Sequence, residues 1–464
     1  MKNTIDLAGK RVLVVGLART GIATALFCAE RGARVTVSES RTEAEIPEAV
    51  AKIRAAGCTL ELGGHRAESF LAQDLIVPSP GVPAHSSFLL AAREAKIPVW
   101  SEIEFAWRFL RGKLIAITGS NGKTTTTALI GHIVAGARIP TIVAGNIGTP
   151  LISRVMETSS QTVTVLEASS FQLELIDKFR PDVALLLNIT PDHLDRHPSL
   201  EHYAQAKARI FLNQVAAAAA VINADDPAAV QYAPSIPQVF WFSRAKRVAS
   251  GVFLRDDQVV FRRDGSETVL LRRSDIGLRG EHNVENVMAA AGAAFLVGVD
   301  PKSIAEGVRS FAGVEHRIEF VAEINGVNYY NDSKATNVDA TLKALDAFPR
   351  NLIVILGGKD KGSDYTLLRD LLSRRAKLAL LIGAATEKIA AQIAGAVAIE
   401  KVETIERAVT RASQLAQPGD TVLLAPACAS FDQFQNYEHR GRVFKQRVRL
   451  LEEEIAAGGR ARAS

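Results

Sequence analysis

Residues 116–130 read AITGSNGKTTTTALI, two glycines and a lysine set between an apolar run and a threonine-rich helical one. Gly119 and Gly122 allow successive backbone N–H groups to converge on one anion, and the helix start adds unpaired donors and a partial positive charge. Lys123 adds a cation and Thr124 a hydroxyl able to ligate Mg²⁺, which together make the chemistry of a phosphate loop. The usual GxxxxGK[ST] spacing would put a glycine where Ile117 stands; its absence shortens the loop but leaves the donors and the lysine. The competing reading is a glycine turn beside a surface lysine. Glu167 ends the apolar run TVTVLEAS, and His193 follows DVALLLNIT in TPDHLDRH. Mg²⁺ prefers carboxylate and phosphate oxygens, which suits Glu167 better than His193. By pattern, Asp192 and Asp195 read as helix-start acids, and Lys207, in AQAKARIF, as a solvated helix lysine.

These groups require parallel strands whose C-terminal ends lie together, since ligands collect at such ends. The pattern supplies them. KLIAIT (113–118), TVTVLEAS (162–169) and DVALLLNIT (182–190) read as buried strands, with EIEFAWRFL (102–110) as an entry helix before them. VFLRDDQVVFRRDGSETVLL (252–271) reads as hairpin strands turning at Asp264-Gly265, and NVENVMAAAGAAFLVG (283–298) as an apolar helix. Before this block, RVLVVG, RVTVSES and LIVPSPGVP alternate with helical segments; after it, GVNYYNDS, NLIVILGG, LALLIGAA and DTVLLAPA do the same. At ~150 residues per domain, 464 residues suit three. The expected architecture is α/β throughout: a Rossmann-like domain (1–101), a central P-loop-type mononucleotide-binding domain (102–313) and a second Rossmann-like domain (314–464). No repeat of fixed period stands out, and the alanine run at 216–220 is the only low-complexity stretch.

The first strand runs into Gly16-Leu17-Ala18-Arg19-Thr20-Gly21, a GxGxxG pattern with alanine in its middle position, and Glu39 ends the next strand where a ribose-binding acid would sit. The pattern fits a nucleotide, a dinucleotide included. Ala18 puts a methyl where a pyrophosphate would approach, and a ligand-free glycine turn is the alternative. A net charge of +5 with dispersed arginines argues against nucleic acid. Cys28, Cys58 and Cys428 are too few and scattered for a disulfide framework or a zinc site, so a reducing cytoplasm is expected. The acid and glycine before the first apolar run mark a strand and no signal peptide, and no run is long enough to span a membrane.

Taken together, GSNGKTTTT, LEASSFQLE, NITPDHLDRH, AQAKARIF and GEHNVENVMAA resemble the central ATPase domain of the Mur ligase family, which builds the peptide of the bacterial cell wall. NDSKATNVDAT (331–341) and APACASFDQFQNYEHRG (425–441) resemble its D-glutamate-adding branch, and GLARTG and SPGVP extend the likeness into the first domain. The resemblance implies that ATP phosphorylates the carboxylate of UDP-N-acetylmuramoyl-L-alanine and that the amine of D-glutamate then displaces phosphate from the acyl phosphate. It implies that Gly119, Ser120, Asn121, Gly122, Lys123, Thr124 and Thr125 cradle the phosphates, with Asn283 and Asn286 near the adenine. Arg317, Asp332 and Lys334 would reach the ribose and phosphates from the third domain. Of two Mg²⁺ ions, one would take Thr124 and Glu167, the other His193 and a CO₂-derived carbamate on Lys207. Lys123, Glu167, His193 and Lys207 are thereby the expected catalytic set.

The uridine substrate would lie against Arg19, Thr20, Glu39, Ser40, Arg41, Ser79 and Gly81, with Asn146 and His193 close to its muramoyl end. D-Glutamate would be held by Thr336, Lys361, Ser430 and Tyr437. A monomer is expected. The chain departs from the family at Ala18, often glycine; at Glu39, commonly Asp; and at Tyr437, which replaces a phenylalanine. The GGKDKGSDY loop places Lys359 in competition with Lys361. Rival readings are another amide ligase of the superfamily, such as one extending folate with glutamate, an NAD(H)-binding sensor resting on GLARTG, and a non-catalytic structural relative.

Overall fold

The computed structural model describes residues 5–146, 148–193, 196–236 and 238–463, except for the side chains of 456–463. Asp195 and the last residue of the tail lie outside the described residues. Two compact units carry three sheets: Met1–Ile276 with Glu285–Phe311, and Gly277–Val284 with Ala312–Ser464.

The first sheet is built from β1 (Arg11–Val15), β2 (Arg34–Glu39), β3 (Thr59–Leu62) and β4 (Leu75–Pro78), all parallel in the order β3-β2-β1-β4. The turn from β1 into the helix Arg19–Glu30 is tight: a Cβ on Gly21 would stand 1.9 Å from the Gly16 carbonyl oxygen. Ala18 occupies the N-cap with extended backbone, a conformation open to any side chain.

The second sheet comprises β5 (Lys113–Thr118), β6 (Thr141–Gly145), β7 (Val163–Glu167), β8 (Val183–Leu186), β9 (Ala219–Asn223), β10 (Gln238–Ser243), β11 (Gly251–Arg255), β12 (Gln258–Arg263) and β13 (Ser266–Arg272). Its order is β13-β12-β11-β10-β9-β8-β5-β7-β6. β12 runs antiparallel to both neighbours, and Asp264 and Gly265, with φ of 50° and 77°, make its tight turn to β13. β5, β7 and β8 are buried throughout their middles and, Thr164 apart, apolar there, as parallel strands covered on both faces are. The alanine run turns at 216–218 and enters β9 with Ala219 and Ala220.

Joining these two sheets is the helix Glu102–Trp107, every residue of which is buried. Burying carboxylates is costly unless they are hydrogen-bonded; here both accept backbone N–H groups, and only the second oxygen of Glu102 is left without a partner among the described residues. One oxygen of Glu104 accepts the backbone N–H groups of Asp177, Lys178 and Phe179 at 2.9, 2.9 and 2.6 Å. The other pairs at 2.7 Å with Arg108, whose guanidinium lies 3.8 Å over the Trp100 ring. Glu102 accepts the N–H of Ile152 at 2.6 Å.

The other compact unit holds β14 (Glu319–Ile324), β15 (Val327–Asn331), β16 (Leu352–Gly357), β17 (Ala376–Ile382), β18 (Ala398–Glu403) and β19 (Thr421–Leu424), ordered β14-β15-β19-β16-β17-β18. β14 is an antiparallel edge on an otherwise parallel sheet. Among the described residues, no helix is long and apolar enough to cross a membrane.

Candidate active site

β5 lies between β7 and β8, so the loop after β5, Glu167 at the end of β7 and the segment after β8 emerge side by side. The loop is held from the β8 side. Asn188 accepts the N–H of Ser120 through its carbonyl at 3.0 Å and that of Asn121 through its side chain at 2.8 Å. The Ser120 hydroxyl donates to the Thr190 carbonyl at 2.9 Å. Gly122 caps the helix Lys123–Gly136 with φ +84°, and a Cβ there would meet the Asn286 Oδ1 at 2.3 Å, so glycine is required twice over. Lys123 curls back to donate to the carbonyls of Gly119 and Ser120 at 2.7 and 2.8 Å. Thr124 and Thr125 are buried in the first helical turn.

Lys207 overturns its pattern-based reading as a solvated lysine: it is 1% exposed, and its Nζ donates to the Gly119 carbonyl at 2.7 Å. Burial and then the neighbouring Lys123 charge hold its amine well below the usual lysine range, against the opposing pull of Asp192 and Glu167. Tyr203, one helical turn earlier, sets its ring 4.3 Å from that Nζ. The i, i+4 spacing was the available signal for this residue, which sequence reasoning missed. Glu167 is buried; its Oε1 takes the Asn146 side-chain amide at 2.8 Å, and its Oε2 has no hydrogen-bond partner among the described residues. The structure thus sets Asn146 against the carboxylate.

His193 has φ +54° and stands edge-on to Phe171, with centroids 5.2 Å apart. Phe171 in turn stacks on His197, whose Nε2 lies 2.9 Å from the Ser170 hydroxyl and which burial pushes down to about 4. Asp192 does not start a helix, contrary to the sequence reading: the next helix, Leu200–Ala208, is capped by Ser199, because a short side chain accepting the His202 N–H satisfies the exposed helix end.

In the first sheet, Glu39 closes on its own loop. Its carboxylate accepts the Leu17 N–H at 2.6 Å, the Arg41 N–H at 3.0 Å and the Ser40 hydroxyl at 3.1 Å, and pairs with the Arg41 guanidinium at 2.8 Å. Burial opposes ionisation, but the Arg41 and Leu17 donors outweigh it and hold the carboxyl at about 2. Ser79 donates to the Gly16 carbonyl at 3.1 Å, Arg19 to that of Gly148, and Thr20 accepts the Thr24 hydroxyl at 2.9 Å. Gly81 is exposed in the turn after β4.

Asn283 and Asn286 sit one turn apart on the helix Glu281–Leu296, both buried, with Asn283 donating to the Arg279 carbonyl at 2.7 Å. Asp332 directly follows β15, in the same unit as Asn283; burial lifts its carboxyl to about 7 against the nearby Arg317 charge and the Ile318 N–H. Lys334 lies 3.8 Å over the Tyr437 ring, and the Thr336 N–H donates to its carbonyl at 2.8 Å. Ser430 is buried after β19, while Lys359 and Lys361 are both exposed in the loop after β16. Arg440, also missed, is fully buried: it bonds the Ser333 hydroxyl at 3.0 Å, the Ser333 carbonyl at 2.9 Å and the Cys428 carbonyl at 3.1 Å, tying the DSKATN and ACAS loops together.

Comparison with known proteins covers the same three regions. Family profiles described as Mur ligase MurD-like, N-terminal domain, Mur ligase middle domain, and Mur ligase, glutamate ligase domain match residues 10–101, 117–294 and 316–428. The UDP-N-acetylmuramoylalanine–D-glutamate ligase of Koribacter versatilis is 53% identical over 97% of this chain and 99% of its own length. The ligase of the same name from Acidobacterium capsulatum is 51% identical over 96% and 97%. Among solved structures, the MurF ligase of Thermotoga maritima in complex with ADP superposes with a TM-score of 0.62 at 16% identity, covering 96% of this chain and 99% of that one. A pseudomurein peptide ligase type C from Methanothermus fervidus gives 0.60 at 20% identity, covering 96% and 100%. These two structures share the three-domain α/β fold. With matched profiles running from residue 10 to 428 and relatives half identical end to end, the chain belongs to the Mur ligase family.

Proposed function

We propose that this protein is an ATP-dependent, ADP-forming ligase that adds D-glutamate to UDP-N-acetylmuramoyl-L-alanine in cytoplasmic peptidoglycan precursor synthesis. The near-full-length likeness to relatives bearing that activity in their names supports the substrates. The observation that carries the chemistry is a phosphate loop bordered by a buried Lys207 amine and by a Glu167 oxygen that has no partner among the described residues. A carboxylate resists nucleophiles until one of its oxygens becomes a leaving group. The alanyl carboxylate therefore takes the terminal phosphoryl group of ATP, and the D-glutamate amine expels phosphate from the resulting acyl phosphate. Negative charge crowds the first step, so fixed N–H donors and cations carry most of its stabilisation.

The amides of Gly119, Ser120, Asn121, Gly122, Lys123, Thr124 and Thr125 orient the phosphates. Lys123 exchanges its two carbonyl partners for phosphate oxygens. The donor set fits divalent cations: Thr124 and Glu167 would hold one Mg²⁺, His193 and a carbamylated Lys207 a second. When bound, these ions supply charge neutralisation at the phosphate oxygens. Lys207 fits carbamylation because an amine kept neutral attacks CO₂, forming an N–C bond, releasing one proton and leaving an anionic oxygen donor. Asn283, Asn286, Arg317, Asp332 and Lys334 serve the nucleotide. Arg19, Thr20, Glu39, Ser40, Arg41, Ser79, Gly81 and Asn146 serve the uridine substrate. Thr336, Lys361, Ser430 and Tyr437 serve D-glutamate, Lys361 offering a cation to a carboxylate and Ser430 a hydroxyl donor. The domains that carry these roles are 1–101, 102–313 and 314–464, and one chain suffices.

The test is ADP release that depends on both UDP-N-acetylmuramoyl-L-alanine and D-glutamate. Labelled D-Glu should be incorporated, and L-Glu, L-Ala and diaminopimelate should not. Incorporation of one of those three in preference to D-Glu would favour another ligase of the superfamily. A saturable NADH fluorescence change without ADP release would favour a dinucleotide sensor.

A further inference from the structure

β16 and β19 are neighbours, and the loops leaving them carry Lys361 and Ser430. Exposed Lys361 has no obvious reason to keep a fixed distance from buried Ser430, so the contacts between these loops matter. Lys359 and Ala429 exchange both backbone hydrogen bonds, at 2.8 and 3.1 Å, and the Gly357 N–H donates to the Pro426 carbonyl at 2.8 Å. Beneath them runs a chain of side chains. Asp360 takes the Lys388 ammonium on Oδ2 at 2.7 Å and the Tyr365 hydroxyl on Oδ1 at 2.8 Å, and the Tyr365 oxygen lies 3.0 Å from the Cys428 Sγ. A carboxylate only accepts, so Tyr365 gives its proton to Asp360 and presents its oxygen to the thiol, which must then donate. Burial, pushing the Cys428 thiol up to about 11, keeps it protonated for that role. Tyr365 is itself fully buried, with its N–H on the Gln392 side chain at 2.8 Å. Asp360 immediately precedes Lys361, and Cys428 stands two residues before Ser430.

We propose that Tyr365 is a positioning residue for the incoming amino acid: its hydroxyl joins the Asp360 and Cys428 loops, fixes the separation of Lys361 from Ser430, and so sets the length of dicarboxylate accepted. This rests on the reading above that Lys361 and Ser430 hold D-glutamate. The hydroxyl touches no substrate, so its loss should alter amino-acid affinity and discrimination and leave phosphoryl transfer intact.

The experiment is steady-state kinetics of the full-length enzyme. In Tyr365→Phe, the KM for D-glutamate should rise about fivefold, kcat and the KM for ATP should stay within about twofold, and the preference for D-glutamate over D-aspartate and D-2-aminoadipate should fall severalfold. Cys428→Ala should repeat this pattern; Cys428→Ser, which keeps a donor, should restore wild-type behaviour. An unchanged KM and preference in Tyr365→Phe overturns the proposal, as does a parallel loss of kcat, ATP affinity and Tm. If Tyr365→Phe does not fold, the contrast between the two Cys428 variants decides, and its absence overturns the proposal. Lys361→Ala separates the two levels. An unchanged KM for D-glutamate there refutes the pocket assignment and everything built on it. A raised KM there with an unaffected Tyr365→Phe refutes only the positioning role.

Discussion

The Lys207 amine lies under the phosphate loop beside the Lys123 ammonium, and burial and like charge both disfavour its protonation. If that amine becomes a carbamate, Lys207→Ala should lower turnover by about 10²–10³-fold, the cost typical of losing one group that stabilises transition-state charge. Partial rescue by added acetate or formate, read as ADP release, should follow; unchanged turnover would refute the assignment. Nothing in AQAKARIF foretells the burial, because the partner of Lys207 is a carbonyl 88 residues away. Glu167 was more legible, since an acid ending an apolar strand is already anomalous. Glu102 makes a separate prediction about pH. Burial raises its carboxyl to about 7, although it accepts the N–H groups of Ile152 and Leu151. A raised folded-state pKa means the native state holds the proton more tightly than the unfolded chain does. Its stabilising contribution is therefore full below the unfolded value near 4.5 and is lost as pH rises to about 7. Glu102→Gln keeps the acceptor and cannot ionise. Relative to the parent it should gain about 3 kcal/mol more stability at pH 8 than at pH 4.5, as measured by denaturant unfolding.

At the scale of elements, the loop between β5 and the helix Lys123–Gly136 depends on Gly122 adopting a left-handed conformation against Asn286. Gly122→Ala should raise the KM for ATP at least tenfold and cost about 1–3 kcal/mol of stability, since both backbone strain and the clash fall on the same turn. Arg440→Met should cost about 3 kcal/mol in denaturant unfolding: it strands the Cys428 and Ser333 carbonyls, which a buried guanidinium now satisfies. The strands that carry chemistry were legible because burial on both faces makes them continuous apolar runs, as in KLIAIT and NLIVILGG. β14 and β18, at sheet edges, carry exposed charged residues, Glu323, Lys401 and Glu403, that dilute any pattern. β9 hid behind alanines that read as low complexity. Arg440 was invisible for a related reason: a charged residue on a helix reads as solvated until the carbonyls that surround it are known.

At the scale of the whole molecule, the groups assigned to ATP belong to both compact units: Lys123 and Glu167 to one, Arg317, Asp332 and Lys334 to the other. A nucleotide that engages all of them binds both units at once, and a closing motion on binding is the expected consequence. Small-angle scattering should therefore show a smaller radius of gyration with a non-hydrolysable ATP analogue and UDP-N-acetylmuramoyl-L-alanine than without them, and an unaltered radius would count against closure. The join between the first two sheets is of another kind. The Glu104 carboxylate grips the three consecutive amides of Asp177–Phe179 from a helix with no exposed residue, so the connecting helix is pinned to the segment between β7 and β8. An engineer transplanting the first sheet onto another ligase should cut at Ser101, leaving the helix Glu102–Trp107 with its partners. A cut beyond Leu110 would carry Glu102, Glu104 and Arg108 away from Ile152 and Asp177–Phe179 and set them against foreign loops, three ionisable groups sealed indoors with nothing to hold.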